Sequence, residues 1–324
     1  MKILATGKYL PARIVPNSFF EKTLETSDDW IFTRSGIKER RIASDRETAA
    51  YMATQSALDA LAKADLAATD LGMIIVGTST SDYVFPSVAC QVQAAIGAPH
   101  AAAFDLQAAC SGFLYSLILA NQFLSSGTCQ NILVIGVDKL SAIINWHDRS
   151  TAVLFGDGAG AAVLQANHGQ HCHGRLLAFD LGADGRYAQI LSMPNANTAK
   201  ANAIDLSHGV SMYMSGQEVF KHAVTAMAQS VQKSLATAGL TLDDIKCVIP
   251  HQANLRIVKV LADRLKIPKE KVFTNLERYG NISAACIPVA LSEAAQHYQL
   301  QPGDKVLMVA FGGGLTWASA IMEW

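Results

Sequence analysis

Apolar positions along the chain form two alternating kinds of run. Residues 56–64 and 230–238 carry apolar side chains three and four apart, the spacing of one helix face. Met73-Ile-Ile-Val and Cys247-Val-Ile are short unbroken apolar runs that stop at turn residues, as strands buried on both faces do. The opening Met-Lys-Ile-Leu-Ala-Thr-Gly-Lys reads as a short strand and lacks the long apolar stretch of a signal peptide. No charge occurs between Asp105 and Asp138, a span long enough to cross a bilayer. Gln107, Asn121, Gln122, Gln130, Asn131 and the break Ser125-Ser126-Gly127 interrupt it. It therefore divides into a helix from about residue 110 to 124 and a strand over 131–137. A helix with no charged face belongs inside a large protein. Helices alternating with such strands predict an α/β fold with right-handed crossovers.

The chain also contains a copy of itself. A shift of 174 positions lays residues 60–77 (ALAKADLAATDLGMIIVG) over 234–251 (SLATAGLTLDDIKCVIPH) without a gap. Leu61/Leu235, Ala62/Ala236, Ala64/Ala238, Leu66/Leu240 and Asp70/Asp244 coincide. The same shift lays 108–137 over 282–311, where Leu117/Leu291, Ala120/Ala294, Gln122/Gln296 and Leu133/Leu307 coincide. One offset serving both windows, with helix and strand order preserved, predicts two similar halves about a pseudo-two-fold axis. The halves are read as residues 1–170 and 171–324, joined through the polar stretch 167–174.

Composition narrows the function classes. Half of the 324 residues are apolar and only 16% are charged, so disorder is excluded. With 26 basic and 27 acidic side chains the net charge is -1, which gives no global attraction to nucleic acid or membrane. Six scattered cysteines without a CxxC pair exclude a disulfide scaffold and a zinc ribbon, and point to a reduced, cytoplasmic protein.

One cysteine stands apart. Cys110, in Ala-Ala-Cys110-Ser-Gly-Phe, opens the uncharged helix, where free amides and the helix dipole favour an anion. Its thiol is expected to ionise below the ordinary value of about 8.5. Cys90, Cys129, Cys247 and Cys286 read as buried structural residues. At the 174 offset Cys110 falls on Ala284, just after Tyr279-Gly280-Asn281, while His251 ends the copied strand. A pseudo-two-fold axis would bring Cys110, His251 and Asn281 into one cleft. Phe311-Gly312-Gly313-Gly314 follows a strand and can bring a backbone N–H close to a ligand. Gly156-Asp-Gly158-Ala-Gly160 lacks dinucleotide-loop spacing and reads as a tight turn or bulge. His168, His171 and His173 flank Cys172 in a stretch read as a polar loop with no metal.

These motifs, taken in order, resemble the 3-oxoacyl-acyl-carrier-protein synthase III family of the thiolase-like superfamily. The resemblance runs nearly end to end, through Thr26-Ser-Asp-Asp-Trp30-Ile, Arg34-Ser-Gly-Ile-Lys-Glu-Arg40-Arg41, Phe85-Pro-Ser and Ala109-Cys110-Ser-Gly. It continues through Leu154-Phe-Gly-Asp-Gly-Ala-Gly-Ala, Pro250-His251-Gln-Ala-Asn-Leu-Arg256, Gly280-Asn281-Ile-Ser-Ala-Ala and Phe311-Gly-Gly-Gly-Leu-Thr-Trp317. Ser111 and Ile282 depart from the commoner Ala and Thr without removing a reacting group.

The resemblance implies a five-layered αβαβα duplication. It implies a decarboxylating condensation of a short acyl-CoA, acetyl-CoA foremost, with malonyl-ACP, initiating type II fatty acid synthesis without a cofactor or metal. Cys110 would accept the acyl group, with ping-pong kinetics, and His251 and Asn281 would serve decarboxylation. The amides of Cys110 and Gly313 would form an oxyanion hole. Trp30, Arg34, Arg149 and Asn254 would hold coenzyme A. Gln252, Arg256, Lys259 and Arg264 would meet the acyl carrier protein, in keeping with the net +4 of residues 256–271 (six basic, two acidic). Phe85 would reach the partner's acyl pocket in a homodimer. Two alternatives on the same fold are an acyltransferase passing the group to an alcohol or amine, and a condensing enzyme of a secondary-metabolite pathway. A non-catalytic acyl-chain carrier would not need the reacting set.

Overall fold

The computed structural model describes residues 1–167, 174–195 and 210–324, so the segment holding His168, His171, Cys172 and His173 lies outside the described residues. The strands are β1 (Lys2–Tyr9), β2 (Ile14–Pro16), β3 (Glu39–Arg41), β4 (Met73–Gly77), β5 (Ala102–Leu106), β6 (Asn131–Lys139) and β7 (Asp157–Gln165). They continue as β8 (Leu176–Ala183), β9 (Leu191–Ser192), β10 (Tyr213–Met214), β11 (Cys247–Pro250), β12 (Lys305–Gly312) and β13 (Thr316–Glu323). One large sheet has the order β1-β7-β6-β4-β5, with β6, β4 and β5 parallel and β7 antiparallel to both its neighbours. The other, β8-β13-β12-β11, repeats that pattern with β12 and β11 parallel.

The offset of 174 found in the sequence runs through these elements. It carries β1 onto β8 and the starts of β4 and β6 onto those of β11 and β12. It carries helix Gly112–Ser125 onto the start of helix Cys286–His297. Even the left-handed caps that end helices Ala49–Ala64 and Gly216–Ala238 correspond, at Asp65 and Gly239. The correspondence lapses after β6. Residues 140–156 join β6 to β7, whereas only 313–315 join β12 to β13.

Two helices, Gly112–Ser125 and Cys286–His297, lie between the sheets. Helices Ala49–Ala64 and Val88–Ile96 cover the outer face of one sheet, and Gly216–Ala238 and Leu255–Leu265 that of the other. The result is five layers, αβαβα. Strand side chains alternate between faces. Ile75 and Val134 enter the central apolar layer with Phe113, Leu117 and Ile287, while Ile74 and Ile135 enter the outer one with Met52 and Ala53. That is why these strands read as unbroken apolar runs. No helix among the described residues is long and apolar enough to cross a membrane.

Glycines set the distance between layers. A Cβ on Gly77 would lie 2.6 Å from the Gly112 carbonyl carbon, and one on Gly136 would run into the Ala284 carbonyl. The expected turn at 156–160 is instead strand: β7 pairs with β6 without a bulge. Its glycines serve close packing, since a Cβ on Gly160 would lie 2.8 Å from Pro288 Cβ and Val289 N. Arg40 is fully buried, donating to the Val15 and Val153 carbonyls and to Asn17 Oδ1. Cys129, Cys247 and Cys286 are buried as expected, but Cys90 is exposed on the outer helix Val88–Ile96.

Replacing Gly136 by Ala should cost about 1–3 kcal/mol, the usual penalty of overpacking, because the obstruction is backbone. Gly185→Ala has open space around its Cβ and should stay within about 0.5 kcal/mol of the parent. Paired thermal denaturation curves check both.

Candidate active site

Two matching turns build the site. Cys110 sits in the 3-10 turn Ala109–Ser111, and its pseudo-symmetric counterpart is the turn Ser283–Ala285. Each turn begins with a non-glycine residue in left-handed backbone, Ala109 at φ 46° and Ser283 at φ 50°. Such a conformation costs on the order of 1–3 kcal/mol and persists only where surroundings enforce it. Around the first turn, Thr316 Oγ1 donates to the Ala108 carbonyl at 2.9 Å and Ser111 Oγ donates to the Thr316 carbonyl at 3.2 Å. A Cβ on Gly312 would lie 2.7 Å from the Cys110 nitrogen, so the end of β12 presses directly on this turn.

His251 follows β11, where its N–H donates to the Val309 carbonyl at 2.8 Å. Its ring is buried, and Nδ1 has no hydrogen-bond partner among the described residues. Burial lowers its pKa to about 4, so the imidazole is neutral at pH 7. Asn281 is clamped through its backbone, donating to the Leu154 carbonyl and accepting from Gly156 N–H, both at 2.9 Å. Its Oδ1 accepts from Ser283 N–H at 2.8 Å. The carbonyl end of the amide is thus occupied, and the NH2 end is left as a donor for the cavity that Asn281 lines.

Cys110, His251, Asn281 and Gly313 all line one cavity of about 1440 Å³. Ser283 Oγ donates to Cys110 Sγ at 3.3 Å. The expected low thiol pKa is not found. Burial pushes Cys110 up to about 12; the Ser283 hydroxyl opposes this and the Asp138 carboxylate adds to it. The helix start is present, but the sulfur has little water around it and a buried carboxylate nearby.

Helix Asp28–Ser35 brings Trp30 into the lining of the same cavity, with Ser27 Oγ accepting the Trp30 N–H as its N-cap. Two guanidinium groups lie over the indole, Arg34 at 4.5 Å and Arg149 at 4.6 Å from the ring centroid. Asn254 caps helix Leu255–Leu265, its Oδ1 accepting from Arg256 N–H at 2.8 Å, and both residues line the cavity. Lys259 and Arg264 are exposed on that helix, outside the cavity.

Gln252 does not belong with them. It is 1% exposed, donates to the Pro250 and Phe273 carbonyls and accepts from Asn275 N–H, so it cannot meet a docking protein. Lys271 is also committed, donating to the Leu242 and Asp243 carbonyls. Phe85 is 84% exposed and does not line this chain's cavity. Among the described residues no cluster of three or more His, Cys, Asp or Glu could hold a metal ion.

Two residues at this site were not singled out from sequence. Ser283 contacts the Cys110 sulfur, and Asp138 is a completely buried carboxylate at the end of β6. Asp138 had a legible signal, as the acid that closes the charge-free stretch after Asp105 on an otherwise apolar strand.

The chain matches two family models, 3-oxoacyl-[acyl-carrier-protein (ACP)] synthase III over residues 104–185 and the corresponding C-terminal model over 235–324. It is 49% identical to the beta-ketoacyl-[acyl-carrier-protein] synthase III of Natranaerobius thermophilus, covering 100% of this chain and 99% of that protein. It is 46% identical to synthase III 1 of Bacillus cereus, over 99% of this chain and 98% of the relative. The crystal structure of 3-oxoacyl-[acyl-carrier-protein] synthase III from Aquifex aeolicus superposes with a TM-score of 0.93 at 46% identity, over 100% of this chain and 99% of the other. On this full-length likeness in sequence and in fold, the chain belongs to the 3-oxoacyl-[acyl-carrier-protein] synthase III family.

Proposed function

We propose that this protein condenses a short acyl-CoA with malonyl-ACP, releasing CoA and CO2 and yielding a 3-oxoacyl-ACP, the step that starts type II fatty acid synthesis. The observation that carries this reading is the convergence of Cys110, His251, Asn281 and Gly313 on one cavity that Trp30, Arg34 and Arg149 also line.

In this reading the acyl-CoA enters with its adenine and phosphates at Trp30, Arg34, Arg149 and Asn254. A planar, cationic cluster suits a π-system flanked by phosphates. Cys110 attacks the thioester carbonyl. The amides of Cys110 and Gly313 receive the oxyanion, a contribution of about 2.7–4 kcal/mol per donor in comparable sites. CoA leaves, and the arm of malonyl-ACP takes its place. Loss of CO2 puts negative charge on the thioester oxygen, where neutral His251 and the Asn281 NH2 donate. The enolate attacks acyl-Cys110, and the product departs with Cys110 restored. The sequence of acylation and then condensation makes the kinetics ping-pong. No cofactor or metal enters these steps. The paired donors favour condensation over simple acyl transfer, which does not need them.

Arg256, Lys259 and Arg264 supply the docking face for the acidic carrier protein, without Gln252. The unpaired edge of β5 and the exposed Tyr83, Val84 and Phe85 fit a homodimer in which Phe85 enters the partner's cavity. A division of the chain near residue 170 and a cytoplasmic setting complete the reading.

Cys110→Ala should abolish acyl transfer from CoA, seen as loss of the acylated protein by mass. His251→Ala should still take up the acyl group yet release CO2 from malonyl-ACP at least about 10²-fold more slowly. Because burial holds His251 neutral down to about pH 4, CO2 release should persist at pH 5 and fall only on approach to pH 4, not near 6.5. Lys259→Glu with Arg264→Glu should raise KM for malonyl-ACP on the order of tenfold and leave Cys110 acylation by acyl-CoA unchanged.

A further inference from the structure

Asp138 is an unusual group to find beside a nucleophile. It is fully buried, and no cation pairs with it among the described residues. Its two oxygens are not equivalent. Oδ1 accepts from Ser79 N–H at 2.8 Å, Thr80 Oγ1 at 3.0 Å and Thr78 Oγ1 at 3.3 Å. Oδ2 accepts from Ala284 N–H alone among backbone donors, and at a longer 3.2 Å. The oxygen with fewer donors is the more basic, and it faces the turn that carries Ser283. Ser283 is next in the chain to Ala284; its hydroxyl stands 3.3 Å from Cys110 Sγ and also acts on the Asp138 carboxylate, lowering its pKa. The backbone of Ser283 is left-handed and its N–H donates to Asn281 Oδ1, which fixes the turn that carries the hydroxyl.

We propose that Asp138 stores the Cys110 proton, receiving it through the Ser283 hydroxyl when the thiol ionises and returning it when the condensed product leaves. The Ser283 hydroxyl turns its hydrogen from the sulfur to Asp138; the Cys110 S–H bond then breaks as its proton passes to Ser283 Oγ, and the serine's own proton forms the Oδ2–H bond of Asp138. One negative charge moves from carboxylate to sulfur, so the buried site keeps the same net charge during this transfer. The thiolate forms its bond to the acyl carbon, and CoA leaves as a thiolate that takes a proton from solvent. Asp138 stays protonated through the acyl-enzyme stage, which removes a buried negative charge from beside the enolate that decarboxylation generates. When the product departs, the Cys110 thiolate recovers its proton by the same path. Asp138 touches no substrate in this scheme and acts through Ser283.

The surrounding titratable groups do not compete for the proton. Burial holds His251 neutral, and burial with the Cys110 charge holds Cys286 as a thiol. Lys139, next to Asp138 on β6, turns away to donate to the Ser44 carbonyl. Asp82 accepts from Ala49 and Ala50 N–H, Asp157 accepts from Ala43 N–H and Ser141, and Arg34, Arg149 and Arg256 lie with Trp30 and Asn254 around the rest of the cavity.

The test is the pH profile of iodoacetamide alkylation, followed at the Cys110 peptide by mass spectrometry. Two acids sharing one charge titrate as a pair, so the wild-type rate should stay flat from about pH 6 to 8. Asp138→Asn and Ser283→Ala should each replace that plateau with a rate rising about tenfold per pH unit. Each should also slow Cys110 acylation by acetyl-CoA at pH 7 about 10²-fold. A wild-type rate that climbs tenfold per unit across this range overturns the proposal, as does a plateau surviving in either variant. A merely structural role for Asp138 would lower thermal stability without changing the slope. If Asp138→Asn does not fold, the wild-type profile and Ser283→Ala decide. The proposal rests on Cys110 as acyl acceptor, but alkylation reads the thiol itself. A plateau with no acyl transfer would sink the functional reading and leave the relay standing.

Discussion

Backbone meets backbone around the two site turns. Gly77 lies against Gly112, Gly136 against the Ala284 carbonyl, and Gly312 against the Cys110 amide. No side chain separates these pairs, so the ends of β4, β6 and β12 and the starts of the two central helices share one small volume. Everything chemical follows from that approach. It sets Cys110 and Ser283 on facing turns, and it puts Gly313 beside the cysteine. Moving either turn by the width of a methyl group would separate a sulfur and a hydroxyl that now sit 3.3 Å apart. The left-handed conformations of Ala109 and Ser283 are the local strain of this crowding, held in place by the αβαβα packing around it.

The same crowding buries His251, Asn281 and Asp138, and burial decides the electrostatics of the site. A buried imidazole prefers to be neutral, and a buried thiol prefers to keep its proton. Both effects are visible at His251 and Cys110. A neutral imidazole is the form in which a histidine can donate to developing negative charge without first placing a cation in low dielectric. Arg34 and Arg149 cluster with Trp30 in the cavity lining.

Much of this was legible in the chain. The duplication appeared as a constant offset because buried strands and central helices tolerate no insertions, and that offset carried Cys110, His251 and Asn281 to a common point. The family motifs identified the residues at the mouth. What could not be read is informative in physical terms. Gln252 stands in a motif between a site histidine and a surface helix, and only packing reveals that its amide is consumed by three backbone groups. The glycines at 156–160 have turn-like spacing, yet Gly158 and Gly160 are strand residues, and Gly160 makes room for the neighbouring helix at Pro288 and Val289. The thiol pKa was misjudged because a helix start is a local feature, whereas the desolvation that outweighs it comes from both halves together. Asp138 and Ser283 were passed over since a lone acid and a lone serine carry no pattern until folding sets them beside a cysteine.

The lapse in the 174 offset after β6 has its own consequence. The scaffold is symmetric, but residues 140–156 stand where the other half has only 313–315. That longer excursion carries Arg149 and Phe155 to the cavity and sets the Arg149 guanidinium over Trp30. Growing a connection from three residues to seventeen costs only about 1.5 kcal/mol in chain closure. Two copies of one architecture are thereby made unequal at small expense: one spends its connection on lining the cavity, and the other keeps a tight hairpin. A molecule built this way can revise what it admits by editing a single loop, with no change to the frame that performs the reaction.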